Sequence, residues 1–130
     1  AGPLEVTAKL QAAFPSRPVA GPAEGLLIEG QWINDGTERP WTADVREPGM
    51  RFAIGLRVLD GRAARRDGWL VASGTGVVTI LLAAATSFRS YRDIGGDPVE
   101  LVRARLAAAA QRTVDDLLQR HLADVRSFMD

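Results

Sequence analysis

The chain contains no cysteine, which excludes disulfides, thiolate metal sites and a cysteine nucleophile. That absence leaves the compartment open, because many secreted bacterial domains also lack cysteine. Histidine is limited to His121, so a histidine-based metal site or a Ser–His pair would have to be built around one residue, with Asp124 at i+3 as the nearest ligand spacing. No charge of one sign prevails: 16 basic and 16 acidic side chains give a net charge of +0. Without a net field to draw them, neither nucleic acid nor an anionic membrane is expected as a partner. Lysine occurs only as Lys9, an arginine bias that a GC-rich genome produces as readily as arginine-specific recognition does. The longest apolar run, residues 76–85 with Thr79 inside it, falls well short of the roughly 20 residues a membrane helix needs.

What is present fits one soluble globular domain: 130 residues, 46% hydrophobic and 25% charged. The opening Ala1-Gly2-Pro3-Leu4 has neither an initiator methionine nor a basic stretch before an apolar core, so it reads as a cut end and not as a secretion signal. There is no internal repeat, and the only low-complexity tract is the alanine run near residue 109.

Leu4, Val6, Ala8, Leu10 and Ala12 alternate with polar residues, the period-two pattern of a half-buried strand. Prolines at 15, 18 and 22 interrupt it until residues 26–32 offer a second short strand, and residues 33–48 read as a long polar loop with Asn34-Asp35-Gly36 as a turn. Met50, Phe52, Ile54, Leu56 and Val58 form the clearest strand pattern in the chain, closed by Asp60-Gly61. Arg62–Arg66 is then expected as the return strand of a hairpin, Asp67-Gly68 as the next turn and residues 69–72 as a further strand, together a meander. Residues 77–85 are β-branched and apolar on both faces, as expected of a central strand buried between two layers.

Asp97-Pro98-Val99-Glu100 combines an N-cap carboxylate, proline at the first helical position and a glutamate placed to complete a capping box. Val99, Val102, Leu106 and Ala109 or Ala110 give this helix an apolar stripe as far as about Arg112. Thr113 is placed to cap a second helix, with Asp115 and Asp116 in its first turn. Val114, Leu117, Leu118, His121, Val125 and Phe128 recur along it at helical spacing, while Asp116, Arg120 and Asp124 are set for i,i+4 ion pairs on the outside. The expected fold is therefore mainly β, an antiparallel β-sandwich with one or two C-terminal α-helices. It divides into a sandwich portion, 1–96, and a helical segment, 97–130.

Paired carboxylates across a cleft are the signature of glycosidic hydrolysis, but Glu38, Asp44, Glu47, Asp60, Asp115 and Asp116 all fall in turns, loops or helix starts, where acids serve local structure. Ser73-Gly74-Thr75-Gly76 superficially resembles a phosphate cradle, but a strand follows it where a helix is required, so it reads as a turn. Arg62, Arg65 and Arg66 read as a solvated strand face, and His121 as a packed residue of the helical stripe. Thr86, Ser87, Phe88, Arg89, Ser90, Tyr91, Arg92 and Asp93 stand apart, because two aromatics and two arginines exceed what a plain connection needs. Such groups dock a neighbouring domain or stack on a sugar.

The run Gly49-Met50-Arg51-Phe52 through Leu56-Arg57-Val58, then Leu81-Leu82-Ala83-Ala84-Ala85-Thr86-Ser87-Phe88, Tyr91-Arg92-Asp93 and Gly96-Asp97-Pro98, resembles the N-terminal domain of glycoside hydrolase family 95, the α-L-fucosidase family. Arg120-His121-Leu122-Ala123-Asp124 followed by Phe128 is similar to the start of that family's linker helix. The resemblance covers most of the chain from Trp32 onward, while the loop at 33–48 departs from the family pattern.

It implies the latter part of a β-supersandwich domain and the beginning of a helical linker toward an (α/α)6 barrel. In such bacterial enzymes the barrel supplies a glutamate and an asparagine–aspartate arrangement that hydrolyse α-1,2-linked fucose with inversion, some members preferring α-L-galactosides. None of those motifs is present, so the resemblance carries over no catalytic residue, cofactor or metal.

The expected function is thus non-catalytic support of a glycosidase's catalytic domain. The partners it implies are that domain, a fucosylated oligosaccharide and, where the excised sandwich leaves an unpaired edge and an uncovered helix face, a homodimer. Contact with substrate or with the neighbouring domain is expected at Thr86, Ser87, Phe88, Arg89, Tyr91, Arg92 and Asp93, and interdomain packing at Leu117, His121, Val125 and Phe128. The rival expectation, a stand-alone carbohydrate-binding or protein-binding sandwich, rests on exposed aromatics such as Trp32, Trp41 or Tyr91.

Overall fold

The computed structural model describes residues 2–33 and 48–129, apart from the side chains of Ile33 and Pro48. The polar loop expected at 33–48, with Trp41, Glu38, Asp44 and Glu47, lies outside the described residues except at its two ends. Among the described residues, seven strands and two helices follow in order: β1 Pro3–Ala8, β2 Ser16–Pro18, β3 Gly25–Ile33, β4 Pro48–Asp60, β5 Arg62–Arg66, β6 Trp69–Thr75, β7 Thr79–Thr86, α1 Pro98–Ala110 and α2 Val114–Met129. They form an antiparallel three-stranded sheet, β1-β6-β5, and an antiparallel four-stranded sheet, β2-β3-β4-β7. The mainly β sandwich with two C-terminal helices is thus the architecture of the chain.

Alternation along β3 and β4 sorts side chains to two cores. Leu56 and Val58 pack with Leu70 and Ala72 of β6, with Leu26, Ala8, Ala63 and Ile80 around them, and this joins the two sheets. The neighbouring positions Leu27 and Ala53 face the other way and pack with Val102 and Leu106 of α1. The order of layers is therefore small sheet, large sheet, helix. Small residues let α1 approach closely: Gly55 pairs with Ala83 and Ala53 with Ala85, and a Cβ on Gly55 would lie 2.7 Å from Val102 Cγ1.

The helix begins as its sequence dictates. Asp97 Oδ1 accepts the Glu100 amide at 3.2 Å, with Pro98 at the first helical position. The capping box is only half made, because the Glu100 carboxylate turns to Arg103 at 2.7 Å. In α2, Thr113 Oγ1 accepts the Asp116 amide at 3.1 Å, and the Asp116–Arg120 pair forms at 3.3 Å. The second partner of Asp116 is Arg112 at 2.8 Å; among the described residues Asp124 makes no ion pair.

Three expectations are corrected. Asp60-Gly61 does not close a hairpin: β5 pairs with β6 and not with β4, so the chain crosses there from the large sheet to the small one. Gly61 permits the crossing with φ +114, where a Cβ would meet Ser73 O at 2.6 Å. The true hairpin turn is Asp67-Gly68, both with positive φ, joining Arg66 to its partner Trp69.

Secondly, β7 is an edge strand and not a central one. Leu81, Ala83 and Ala85 lie against the helix-facing core and Ile80 against the small sheet, but Leu82 lies beyond the cover of the small sheet and is 66% exposed. Arg105 of α1 donates to Ala84 O at 2.8 Å, satisfying a main-chain acceptor on this strand. Thirdly, Ser73, Gly74 and Thr75 belong to strand β6, leaving Gly76 with φ +85 in the turn.

Candidate functional site

Where β7 ends, the chain enters a corner that leads to α1, and this corner is fastened to β4. Ser87 is 0% exposed. Its hydroxyl accepts the Arg51 amide at 2.9 Å, its amide donates to Arg51 O at 2.9 Å, and its carbonyl accepts the Gly96 amide at 2.9 Å. Arg51 completes the ring by donating from Nη2 to Gly96 O at 2.7 Å. Only glycine fits at 96, since a Cβ there would sit 2.9 Å from Ser87 O. Both ends of the 88–95 segment are therefore held by one knot of buried and half-buried polar groups, each satisfied.

Within the segment the polar groups are turned on one another. The amides of Arg89 and Ser90 donate to Asp93 O at 2.9 and 3.0 Å, and the Asp93 amide returns to Ser90 O at 3.0 Å. Asp93 Oδ1 accepts the Gly95 amide at 2.8 Å, Ser90 Oγ accepts the Arg92 amide at 3.3 Å, and Thr86 Oγ1 accepts the Phe88 amide at 3.4 Å. Arg89 and Asp93 face each other at 3.6 Å. Phe88 and Tyr91 are left pointing to solvent, Tyr91 81% exposed, with the Arg92 guanidinium 5.1 Å from the Tyr91 ring centre. A rigid turn thus displays two aromatic rings and one cation, a set suited to stacking on an apolar or ring-shaped surface.

The eight residues singled out by sequence are brought together, but with divided tasks. Phe88, Tyr91 and Arg92 face outward, Arg89 and Asp93 pair with each other, Thr86 and Ser90 brace the turn, and Ser87 works from within. Two members of the knot, Arg51 and Gly96, carry no local sequence signal for this role.

The second group, Leu117, His121, Val125 and Phe128, lies along α2. No side chain of α2 is buried, and Phe128 is 83% exposed. His121, expected to be packed, is exposed, because nothing among the described residues covers the stripe. The Asp116 carboxyl is held below its ordinary value of 3.8 chiefly by the hydrogen bond from Arg112, which desolvation opposes, with the hydrogen bond and charge of Arg120 adding to the lowering.

Sequence reasoning missed a shallow cleft of about 520 Å³ lined by Pro15, Ser16, Arg17, Glu29, Gln31 and Arg51. It arises because the short proline-flanked β2 pairs with β3, a pairing with no hydrophobic pattern to announce it. Glu29 is its only carboxylate among the described lining residues, and it is engaged by Arg17 at 2.7 Å; Gln31 donates to Gly49 O at 3.0 Å. A lone engaged carboxylate does not supply the acid–base pair that hydrolysis of a glycoside requires.

Arg65, read as a solvated residue, instead donates to Gly25 O at 2.9 Å and Pro22 O at 2.6 Å, tying the small sheet to the approach of β3. Among the described residues, no helix is long and apolar enough to cross a membrane, and no group of three His, Asp or Glu side chains is placed to share a metal ion. No protein-family model matches the chain, and no curated protein matches it.

Proposed function

We propose that the chain is a non-catalytic accessory domain that supports the catalytic domain of a glycoside hydrolase resembling the inverting α-L-fucosidases. The observation that carries this reading is the Ser87 corner, where the main chain satisfies itself and the aromatic rings of Phe88 and Tyr91 are held outward. A preorganised surface of this kind binds without the entropic cost of ordering a loop. Two further features support it: the uncovered stripe of α2, and a cleft that offers a single neutralised carboxylate.

The test is hydrolysis of an aryl α-L-fucoside by the chain alone and by a protein in which the chain precedes an inverting α-L-fucosidase barrel. Turnover is expected only from the second, and replacing Phe88 and Tyr91 together with alanine should lower its melting temperature more than that of the chain alone. Turnover by the isolated chain would overturn the reading.

The exposure of Tyr91 beside Arg92 favours one alternative, a stand-alone carbohydrate-binding or protein-interaction sandwich. A carbohydrate-binding module would raise the melting temperature of the isolated chain in proportion to the logarithm of added L-fucose or fucosylated oligosaccharide above its Kd. The scaffold expects no such shift.

A further inference from the structure

We infer that α2 pairs antiparallel with α2 of a second copy of this chain. A 16-residue helix is close to the length at which isolated helices are marginal in water, and among the described residues α2 buries none of its side chains. Its apolar stripe, Val114, Leu117, Leu118, Leu122, Val125 and Phe128, is continuous over the whole element.

The charges beside that stripe select the occupant and its direction. Asp115 in the first turn and Arg126 in the last are separated by about three turns, so they lie on the same flank of the stripe about 16 Å apart. Among the described residues neither has an ion-pair partner. When two copies of α2 run antiparallel about a two-fold axis at the level of Arg120 and His121, Asp115 of each copy meets Arg126 of the other.

On the opposite flank, Asp124 also lacks an ion pair among the described residues, and it comes within reach of Arg120 of the second copy. A parallel pair would set each flank against the opposite flank of the second copy, so neither the Asp115–Arg126 nor the Asp124–Arg120 pairs would form, and the charges favour the antiparallel direction. The antiparallel pair also brings the positive N-terminal end of each helix dipole beside the negative C-terminal end of the other. Such an interface is isologous and closes at two copies.

This inference stands on α2 alone and not on the fucosidase-like reading, which has a catalytic domain cover the same stripe. Sedimentation equilibrium of the chain is expected to show a monomer–dimer equilibrium. Asp115→Arg and Arg126→Asp each should weaken the dimer at least about fivefold through two lost pairs and two new repulsions, and the double exchange should restore it. Val125→Asp, on a helix that contributes nothing buried, should leave a folded monomer.

A wild-type chain that stays monomeric to about millimolar concentration, or a double exchange that dimerises no better than either single one, would overturn the inference. Neither result alters the turnover expected of the barrel-linked protein, so the two proposals fail separately.

Discussion

Arg51 and Ser87 are joined three ways across 36 residues of sequence: amide to hydroxyl, carbonyl to amide, and indirectly through Gly96, whose amide and carbonyl bond one to each of them. Ser87 is 0% exposed, so bulk solvent does not reach that hydroxyl. Replacing Ser87 by alanine removes the acceptor and leaves a half-buried amide unpaired, at a cost of about 1–3 kcal/mol. Urea unfolding of the Ser87→Ala chain should show a lower midpoint with an unchanged slope, and amide exchange should be faster across residues 88–96. Unchanged exchange in that segment would mean that the corner is held by something other than this knot.

The two helices should answer differently to truncation. Leu106 of α1 is 2% exposed in the core against Leu27 and Ala53, so Leu106→Ala should destabilise the chain by about 2–5 kcal/mol. Leu118 of α2 touches no core, and Leu118→Ala should change unfolding by no more than about 0.5 kcal/mol in the monomer. Measuring both at low protein concentration separates the fold from any association through α2.

Features set by neighbouring residues were legible from sequence, and those set by distant ones were not. Asp97 and Pro98 announce α1, Thr113 announces α2, and Asp67-Gly68 is the turn its residue types require, because each depends on groups within a few positions. Asp60-Gly61 offers the same chemistry and yet serves as a crossover, since β6 takes β1 and β5 as its partners and the local turn has no part in that choice. The apolar run at 77–85 showed that both faces of β7 are apolar, but not that the small sheet stops short of Leu82. Ser87 is indistinguishable by sequence from the outward residues around it, because its partners stand 36 residues back and, as Gly96, nine ahead. The α2 stripe was legible at Val114, Leu117, Leu118, Val125 and Phe128, whereas its lack of cover among the described residues is a property only of the assembled fold.

Two glycines of positive φ separate strain from crowding. At Gly68, with φ +80 and nothing within 4 Å of an added Cβ, alanine should cost about 1–2 kcal/mol through conformation alone. At Gly61, with φ +114, the added Cβ also meets Ser73 O at 2.6 Å, so alanine should cost about 1 kcal/mol or more beyond that. Equal melting temperatures for the two variants would contradict the crossover geometry described for Gly61.

Acid should loosen α2 before it reaches the sandwich. The Asp116 carboxyl titrates below its ordinary value of 3.8 because Arg112, and then Arg120, hydrogen-bond to its charged form. A group whose folded pKa is depressed contributes stability that is complete above the unfolded value and is lost as pH falls through the folded one. The helical signal from α2 should therefore hold to about pH 4 and decline below it, and Asp116→Asn should remove that step while lowering helicity at neutral pH. Because the carboxylate is solvent-facing, raising salt toward about 1 M should flatten the step by screening. Following ellipticity at 222 nm against pH for both chains, with the Asp116 carboxyl carbon shift as a direct reporter, tests this; a wild-type curve that falls together with the Asp116→Asn curve would place the acid sensitivity elsewhere in the fold.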